Sequence, residues 1–389
     1  MSVRGRDSLG GRAAVVGIGA TEFSKDSGRS ELKLAVEAVH AALDDAGLAP
    51  ADVDGMVTFS MDTSPEITVA QAAGIGELSF FSRVHYGGGA ACATVQQAAL
   101  AVATGVAEVV VCYRAFNERS GRRFGSGVQQ REPSAEGAAL GWQLPYGLLT
   151  PASWVAMIAQ RYLYAYGLTP DAFGHVAVTD RRHAARNPAA YFYGKPITLA
   201  DHAASRWIVE PLRLLDCCQE TDGGQAVVVT SAERARDLRQ PPAVIVAAAQ
   251  GAGRNQEAMT SFYRDELTGL PEMGVVARQL WRSSGLAPSE IDVGILYDHF
   301  TPFVLMQLEE FGFCGPGEAA DFVAADALPL NTHGGQLGEA YLHGMNGIAE
   351  AVRQLRGTSV NQVPGAARTL VTAGTGVPTS GLILGADGT

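Results

Sequence analysis

The chain has 389 residues, 47% of them hydrophobic and 18% charged. That is enough for two or three domains around a large core, and too apolar for a disordered chain. The formal net charge of -11 excludes nucleic acid as the main partner, because phosphate binding needs an excess of Lys and Arg.

The opening MSVRGRDSLGGRAAVVGIGATEF lacks the long apolar core of a signal peptide. No uncharged apolar run reaches the roughly 18 residues that a membrane span requires. These features predict a cytoplasmic protein with no membrane span. Next, ALDDAGLAPADVDGMVTFS (Ala42–Ser60) reads as the end of an amphipathic helix closed at Gly47. Pro50 blocks its continuation, and a short apolar strand follows. A glycine run, HYGGG, then leads into the small-residue helix ACATVQQAALAVATG (Ala91–Gly105) and the strand AEVVVCY (Ala107–Tyr113).

From Ala115 to Asp222 the character changes. The region begins rich in Gly, Arg and Ser and continues with helical stretches at Ser153–Gly167 and Asp171–Asn187. It reads as an insertion that covers a site on the core. The strand QAVVVTS (Gln225–Ser231) resumes the first half. Then LWRSSGLAPSEIDVGILYDHF (Leu280–Phe300) repeats the earlier pattern: Gly285-Leu286-Ala287-Pro288 matches Gly47-Leu48-Ala49-Pro50, and Ile291-Asp292 matches Val53-Asp54. A second glycine run leads into the helix MNGIAEAVRQLRG (Met345–Gly357) and the strand TLVTAG (Thr369–Gly374). Alternating helices and strands in two matched halves predict α/β layers. The expected units are 1–115 with 223–238, an inserted loop domain over 116–222, and 239–389.

Residue chemistry narrows the function. The five cysteines, Cys92, Cys112, Cys217, Cys218 and Cys314, are odd in number and form no C-x-x-C pair. A disulfide framework and a cysteine zinc site are therefore not expected. The three lysines, Lys25, Lys33 and Lys195, lie outside every motif, which argues against a Schiff base. Asp298, His299, His333 and His343 lack the tight spacing of a metal site, so no metal and no separate cofactor are expected.

Three stretches together resemble the thiolase superfamily. SRWIVEPLRLLDCCQETDGGQAVVV resembles the passage from the thiolase loop domain back into the core. YDHFTPF (Tyr297–Phe303) resembles the His-Asp-x-Phe motif of sterol-carrier-type thiolases. NTHGGQLGEAYLHGMNG (Asn331–Gly347) resembles the Asn-x-x-Gly-Gly…Gly-His-Pro-x-Gly loop. The resemblance implies duplicated βαβαβ halves in an α/β/α/β/α sandwich with an inserted loop domain. A thiolase needs a nucleophilic cysteine at a helix N-terminus, an activating histidine and a second cysteine. Aligned on these motifs, the nucleophile position falls on Gly88, and the two histidine positions fall on Tyr341 and Tyr297. LVTAGTGVP (Leu370–Pro378) has no cysteine. Cys92 lies one helical turn inward and reads as a packed core thiol.

This cysteine-less, two-tyrosine pattern is similar to the actinobacterial lipid-transfer-protein branch, and most to its steroid side-chain aldolases. That resemblance implies a retro-aldol carbon–carbon lyase that splits a β-hydroxyacyl-CoA side chain from a steroid. The products would be a ketosteroid and a short acyl-CoA of the propionyl-CoA class. It also implies a homodimer and a DUF35-type OB-fold/zinc-ribbon partner, together a heterotetramer. The small-residue helix and the AEVVVCY strand suit a buried subunit interface.

Tyr297 and Tyr341 then become the acid/base pair, with backbone N–H groups at Gly88 and Gly374 for the enolate oxyanion. A free tyrosine has a pKa near ~10, so a base role calls for help. An oxyanion hole or a neighbouring imidazolium would have to lower the pKa, and His343 or His299, beside Asp298, could supply that help. Arg122, Arg123 and Arg131 are candidates for the CoA phosphates, because a guanidinium grips phosphate bidentately. Two other readings stay open: a non-catalytic thiolase-like protein that binds acyl-CoA or sterol, and an acyl-CoA thiolase with unconventional catalytic residues.

Overall fold

The computed structural model describes residues 9–121, 123, 137–138, 141–257, 261–375 and 379–388. Helix Glu31–Ala46 starts at Ser30, whose hydroxyl oxygen accepts the Lys33 N–H, and ends at Gly47 in the left-handed conformation. A one-turn helix, Pro50–Asp52, follows. Helix Pro271–Ser284 ends the same way at Gly285, ahead of the turn Pro288–Glu290. In both copies an acidic side chain closes the turn. Asp52 accepts the Ala49 N–H (2.8 Å) and Glu290 accepts the Ala287 N–H (2.9 Å). The next aspartates also match: Asp54 accepts the N–H groups of Glu108 and Val109, and Asp292 those of Ala367 and Arg368. Leu48 and Leu286 therefore occupy equivalent turns.

Eleven strands are described: β1 (Ala13–Ala20), β2 (Gly55–Phe59), β3 (Phe80–Val84), β4 (Val109–Asn117), β5 (Trp207–Val209), β6 (Leu212–Arg213), β7 (Asp222–Ser231), β8 (Ala243–Gly251), β9 (Val293–Ile295), β10 (Arg368–Ala373) and β11 (Thr379–Ala386). Nine of them run in the order β3-β2-β4-β7-β1-β8-β11-β10-β9, and β5-β6 form a separate pair. The order β2-β4-β7-β1 mirrors β9-β10-β11-β8. Each set has one parallel pair followed by antiparallel pairs. Within the sheet the halves meet through a short contact of β1 with β8, at Ala14↔Val244 and Val15↔Ala243. In the place of strand β3 the second half has, among its described residues, only a single parallel bridge, Gly294↔Leu330, beside β9.

The layers follow from strand alternation. Val110, Cys112, Val227 and Val229 face one way, into a core shared with Leu382, Leu384 and the helices Ala91–Ala103 and Met345–Arg356. Val109, Val111, Ala226 and Val228 face the other way, onto helix Glu31–Ala46. Ile383, Leu370 and Ala249 face a third core under Pro271–Ser284 and Thr301–Glu310. Two sheet halves thus sandwich a central helical layer and carry helices outside, giving the α/β/α/β/α order.

The helix Ala91–Ala103 and strand β4 are consumed by this internal core. Val109 through Tyr113 are fully buried within the chain, and so are Cys92, Ala93 and Val95. Their apolar character reports the two layers that β4 separates within one subunit, the central helices on one side and helix Glu31–Ala46 on the other. The sequence reading assigned this helix and strand to a subunit interface; only the exposed face of the helix, at Leu100, is free for one. The exposed apolar edge is at β3, where Phe81 is 55% exposed.

The chain between β4 and β7 leaves and returns at one place, since Asn117 pairs with Asp222. Its helices Pro151–Tyr166 and Asp171–Ala184 pack on the second-half core. Among the described residues no helix is long and apolar enough to cross a membrane.

Candidate active site

Tyr297 follows β9, and its main chain is pinned on both sides. Its N–H donates to Thr372 Oγ1 (2.9 Å), and its carbonyl accepts Gln307 Nε2 (2.9 Å). Thr372 in turn donates to Gln307 Oε1 (2.5 Å). Tyr341 sits in the loop before helix Met345–Arg356, where its N–H donates to Thr221 Oγ1 (2.8 Å). Both side chains are buried, and the two hydroxyl oxygens lie 3.4 Å apart. That is slightly longer than an ordinary O–H···O bond.

The glycines expected beside them are there. A Cβ on Gly88 would stand 2.1 Å from the Tyr297 hydroxyl oxygen, and one on Gly374 would stand 2.4 Å from Gly89 Cα. The phenol therefore fills the space that a side chain at position 88 would need. A side chain at 88 and the phenol at 297 exclude each other. The structure brings Tyr297, Tyr341, Gly88 and Gly374 together, at the N-terminal end of the central helix Ala91–Ala103.

Phe116, Ala340 and Leu342 enclose the tyrosines, with Phe23 and Cys218 partly open beside them. Burial raises the pKa of both phenols above the usual value. For Tyr297, its contact with the Tyr341 hydroxyl and the nearby Gln336 amide oppose the rise; for Tyr341, the neighbouring Tyr297 adds to it. Both are neutral near pH 7.

No imidazolium forms at His343 or His299. His343 is buried, and its Nδ1 accepts Arg114 Nε–H (3.0 Å). Its ring lies parallel to Phe116 at 5.2 Å and edge-on to Tyr341 at 4.9 Å. Burial and the Arg114 charge hold its pKa well below the usual histidine value. An Nδ1 that accepts leaves the proton on Nε2, so the ring is a neutral N–H donor. His299 packs 4.7 Å from the Tyr297 ring, and burial pulls its pKa down to about 3. Neither ring carries the charge that the sequence reading allowed it.

Asp298 also has a different part. Its carboxylate accepts the N–H groups of Gln336 (2.8 Å) and Leu337 (2.9 Å), capping the short helix Gly335–Gly338. It faces Asp180 from the insertion, and a Cβ on Gly335 would touch both carboxylates. Burial, then the charge of Asp298, raises the Asp180 pKa far above the carboxylate range, so Asp180 keeps its proton. Asp298 therefore fixes the loop that carries Tyr341 and does not tune the phenols. His333 lies behind the same loop; its carbonyl accepts Asn187 Nδ2 (3.0 Å).

Of the arginines proposed for CoA, Arg122 and Arg131 lie outside the described residues. Arg123 is exposed and pairs with Glu220 (2.6 Å). Two lysines set aside earlier come close to one ring: Lys25 and Lys195 lie 4.4 and 5.6 Å from the centre of Tyr191.

Sequence reading missed four groups. Arg114 is fully buried, pairs with Asp62 and stacks on Phe116 at 3.8 Å. Glu118 is buried with Oε2 unpartnered among the described residues, and burial, then Glu220, raises its pKa. Cys218 borders the tyrosines, but burial and then Glu118 keep it a thiol. Gln336 lies behind Tyr297. Only the burial of a lone Arg in the strand VVVCYRAF carried a sequence signal, as a charge where a strand core is apolar. Cys92 is buried with Sγ 3.6 Å from the Val371 carbonyl, and burial raises its thiol pKa too. Among the described residues no group of three or more His, Cys, Asp or Glu could hold a metal ion.

The family model described as "Thiolase C-terminal domain-like" matches residues 251–385. A "Steroid side-chain-cleaving aldolase" of Thermomonospora curvata is 69% identical over 387 residues, covering 97% of this chain and 99% of that one. A "17-hydroxy-3-oxo-4-pregnene-20-carboxyl-CoA lyase" of Mycobacterium tuberculosis is 68% identical over 386 residues, covering 97% and 100%. A solved "Ltp2-ChsH2(DUF35) aldolase" superposes with a TM-score of 0.94 at 68% identity, over 98% of this chain and 99% of that one. With such relatives along nearly its whole length and a thiolase-type C-terminal half, the chain belongs to the thiolase-like steroid side-chain-cleaving aldolases.

Proposed function

We propose that this protein is a retro-aldol lyase that cleaves a β-hydroxyacyl-CoA side chain from a steroid nucleus, giving a ketosteroid and a short acyl-CoA of the propionyl-CoA class. The observation that carries the reading is the pair of buried hydroxyls, 3.4 Å apart, lodged against Gly88 where a thiolase would keep its nucleophile.

The reaction conserves protons. The β-hydroxyl O–H bond breaks, its carbon becomes a ketone, and the neighbouring C–C bond gives its electron pair to the thioester enolate. That enolate then gains one proton at carbon. Two adjacent phenols can pass the proton from oxygen to carbon without a free phenolate accumulating, which suits two pKa values raised by burial. The hydroxyl separation tightens when substrate fills the pocket. Backbone N–H groups at Gly88 and Gly374, near a helix N-terminus, hold the enolate oxygen.

CoA crosses the insertion, where Arg123 is the described one of the three candidate arginines Arg122, Arg123 and Arg131. A DUF35-type protein is the partner, as in the solved aldolase complex that this chain resembles. Two copies pair through the open edge of β3, where Phe81 and, on the adjoining helix, Leu100 are exposed. A dimer with one partner at each end makes a heterotetramer, and the setting is the cytoplasm. Sedimentation of the isolated chain as a stable monomer would count against the pairing.

The test is incubation of the protein, with and without a DUF35 partner, with a β-hydroxyacyl-CoA steroid. Free ketosteroid and short acyl-CoA in equal amounts support the lyase. Tight binding without cleavage in both preparations would instead identify an acyl-CoA or sterol carrier. Acetyl transfer from acetyl-CoA would point to a thiolase, but burial holds all five cysteines as thiols.

A further inference from the structure

Beside Tyr297 lies a small pocket of ≈ 10 Å³ between β9, the Gly335–Gly338 turn and the start of helix Met345–Arg356. That is room for about one water molecule. Its wall holds an unusual concentration of unsatisfied polarity. Gln336 Nε2, Gln336 Oε1, Asn346 Oδ1 and His333 Nδ1 are all buried and have no protein partner among the described residues.

The neighbouring bonds fix how these groups point. Asn346 Nδ2 donates to Glu339 Oε2 (2.8 Å) and to the Ala340 carbonyl (3.1 Å), so Oδ1 is the end left over. The Gln336 main chain is held by Asp298, and its side chain lines the pocket with Tyr297. An apolar cavity of this size stays dry, but one with several convergent donors and acceptors binds water.

We propose that this cavity is a binding site for one water molecule, which joins Gln336, Asn346 and His333 and sets the Gln336 amide N–H against the Tyr297 hydroxyl oxygen. The water donates to Asn346 Oδ1 and to Gln336 Oε1, and His333 Nδ1 is its third neighbour. With Oε1 held by water, Nε2 faces the phenol. Gln336 is then a positioning residue. It makes Tyr297, not Tyr341, the phenol that best bears negative charge while the proton is in transit. Burial raises both phenols, but only Tyr297 has an amide opposing that rise. The water site stands on geometry alone; its effect on turnover rests on the lyase reading.

The deciding experiment has two arms. A crystal structure of the full chain, at a resolution that shows ordered water, should contain a peak in this cavity roughly 2.7–3.2 Å from Gln336, Asn346 and His333. A cavity without a peak, or Gln336 turned to another partner, overturns the site. In the second arm Gln336→Met keeps the length of the side chain and removes its dipole. It should lower kcat about 10²-fold with KM unchanged, and move the alkaline limb of the pH–rate profile upward. Wild-type kinetics in Gln336→Met overturn the positioning role. If that variant fails to fold, the crystallographic peak decides. A peak in a protein that cleaves no steroid-CoA supports the water site and removes the lyase reading instead.

Discussion

Gly88→Ala is the smallest perturbation that reaches the reacting groups. The new methyl would sit 2.1 Å from the Tyr297 hydroxyl oxygen and 2.6 Å from the ring carbon that bears it, where real Cβ atoms keep at least 3.0 Å. The hydroxyl must retreat by roughly 1 Å, and a displacement of that size costs about 10²-fold in rate. Overpacking of a closed site also lowers stability by about 1–3 kcal/mol. The discriminating assay is a double-mutant cycle on lyase turnover with Tyr297→Phe, read beside melting temperatures. The alanine should cost about 10²-fold in the wild-type background and far less in Tyr297→Phe, because the hydroxyl it displaces is already gone. The reasoning is refuted if Gly88→Ala turns over within a few-fold of wild type. It is equally refuted if the full penalty recurs in the Tyr297→Phe background.

Cys92→Ala should leave turnover within a few-fold of wild type, since the thiol faces the Val371 carbonyl inside the core; a dead variant would revive cysteine chemistry. Asp180 keeps its proton in the folded state, so the stability of its pair with Asp298 is present at low pH and is lost as pH rises through the raised value. Asp180→Asn keeps a donor that cannot ionise, so its melting temperature relative to wild type should climb with pH. A difference that stays flat contradicts a shared proton. Arg114→Leu strips the buried partner from Asp62 and the donor from His343, and chemical denaturation should show a loss of about 3–5 kcal/mol.

What could be read in advance divides along physical lines. The repeated Gly-Leu-Ala-Pro turns were legible because a helix stop followed by proline is written in consecutive residues. The meeting of Tyr297 with Tyr341 was legible because motifs preserve register even when the residue changes. The pairs that set the electrostatics were not. Arg114 meets His343, and Asp180 meets Asp298, across long stretches of chain with no local pattern to announce either contact. The appeal to an imidazolium came from treating each tyrosine as a lone base. Burial instead holds both phenols and both histidines neutral, and only the 3.4 Å geometry suggests a relay. Composition alone could not divide the small-residue helix between its buried and exposed faces, because a helix buried in a central layer and one buried between subunits share the same composition. Edge strand β3 was missed, since the polarity of its five residues, FFSRV, does not follow the alternation of their exposure.

The most direct measurement of the central claim is lyase turnover for Tyr297→Phe, Tyr341→Phe and the double variant, each folded and bound to its partner. If the phenols act as one relay, each single substitution costs ~10²–10⁴-fold, and the double costs little more than the worse single. Activity near wild type in either single variant, or a double variant whose losses simply multiply, would contradict the relay.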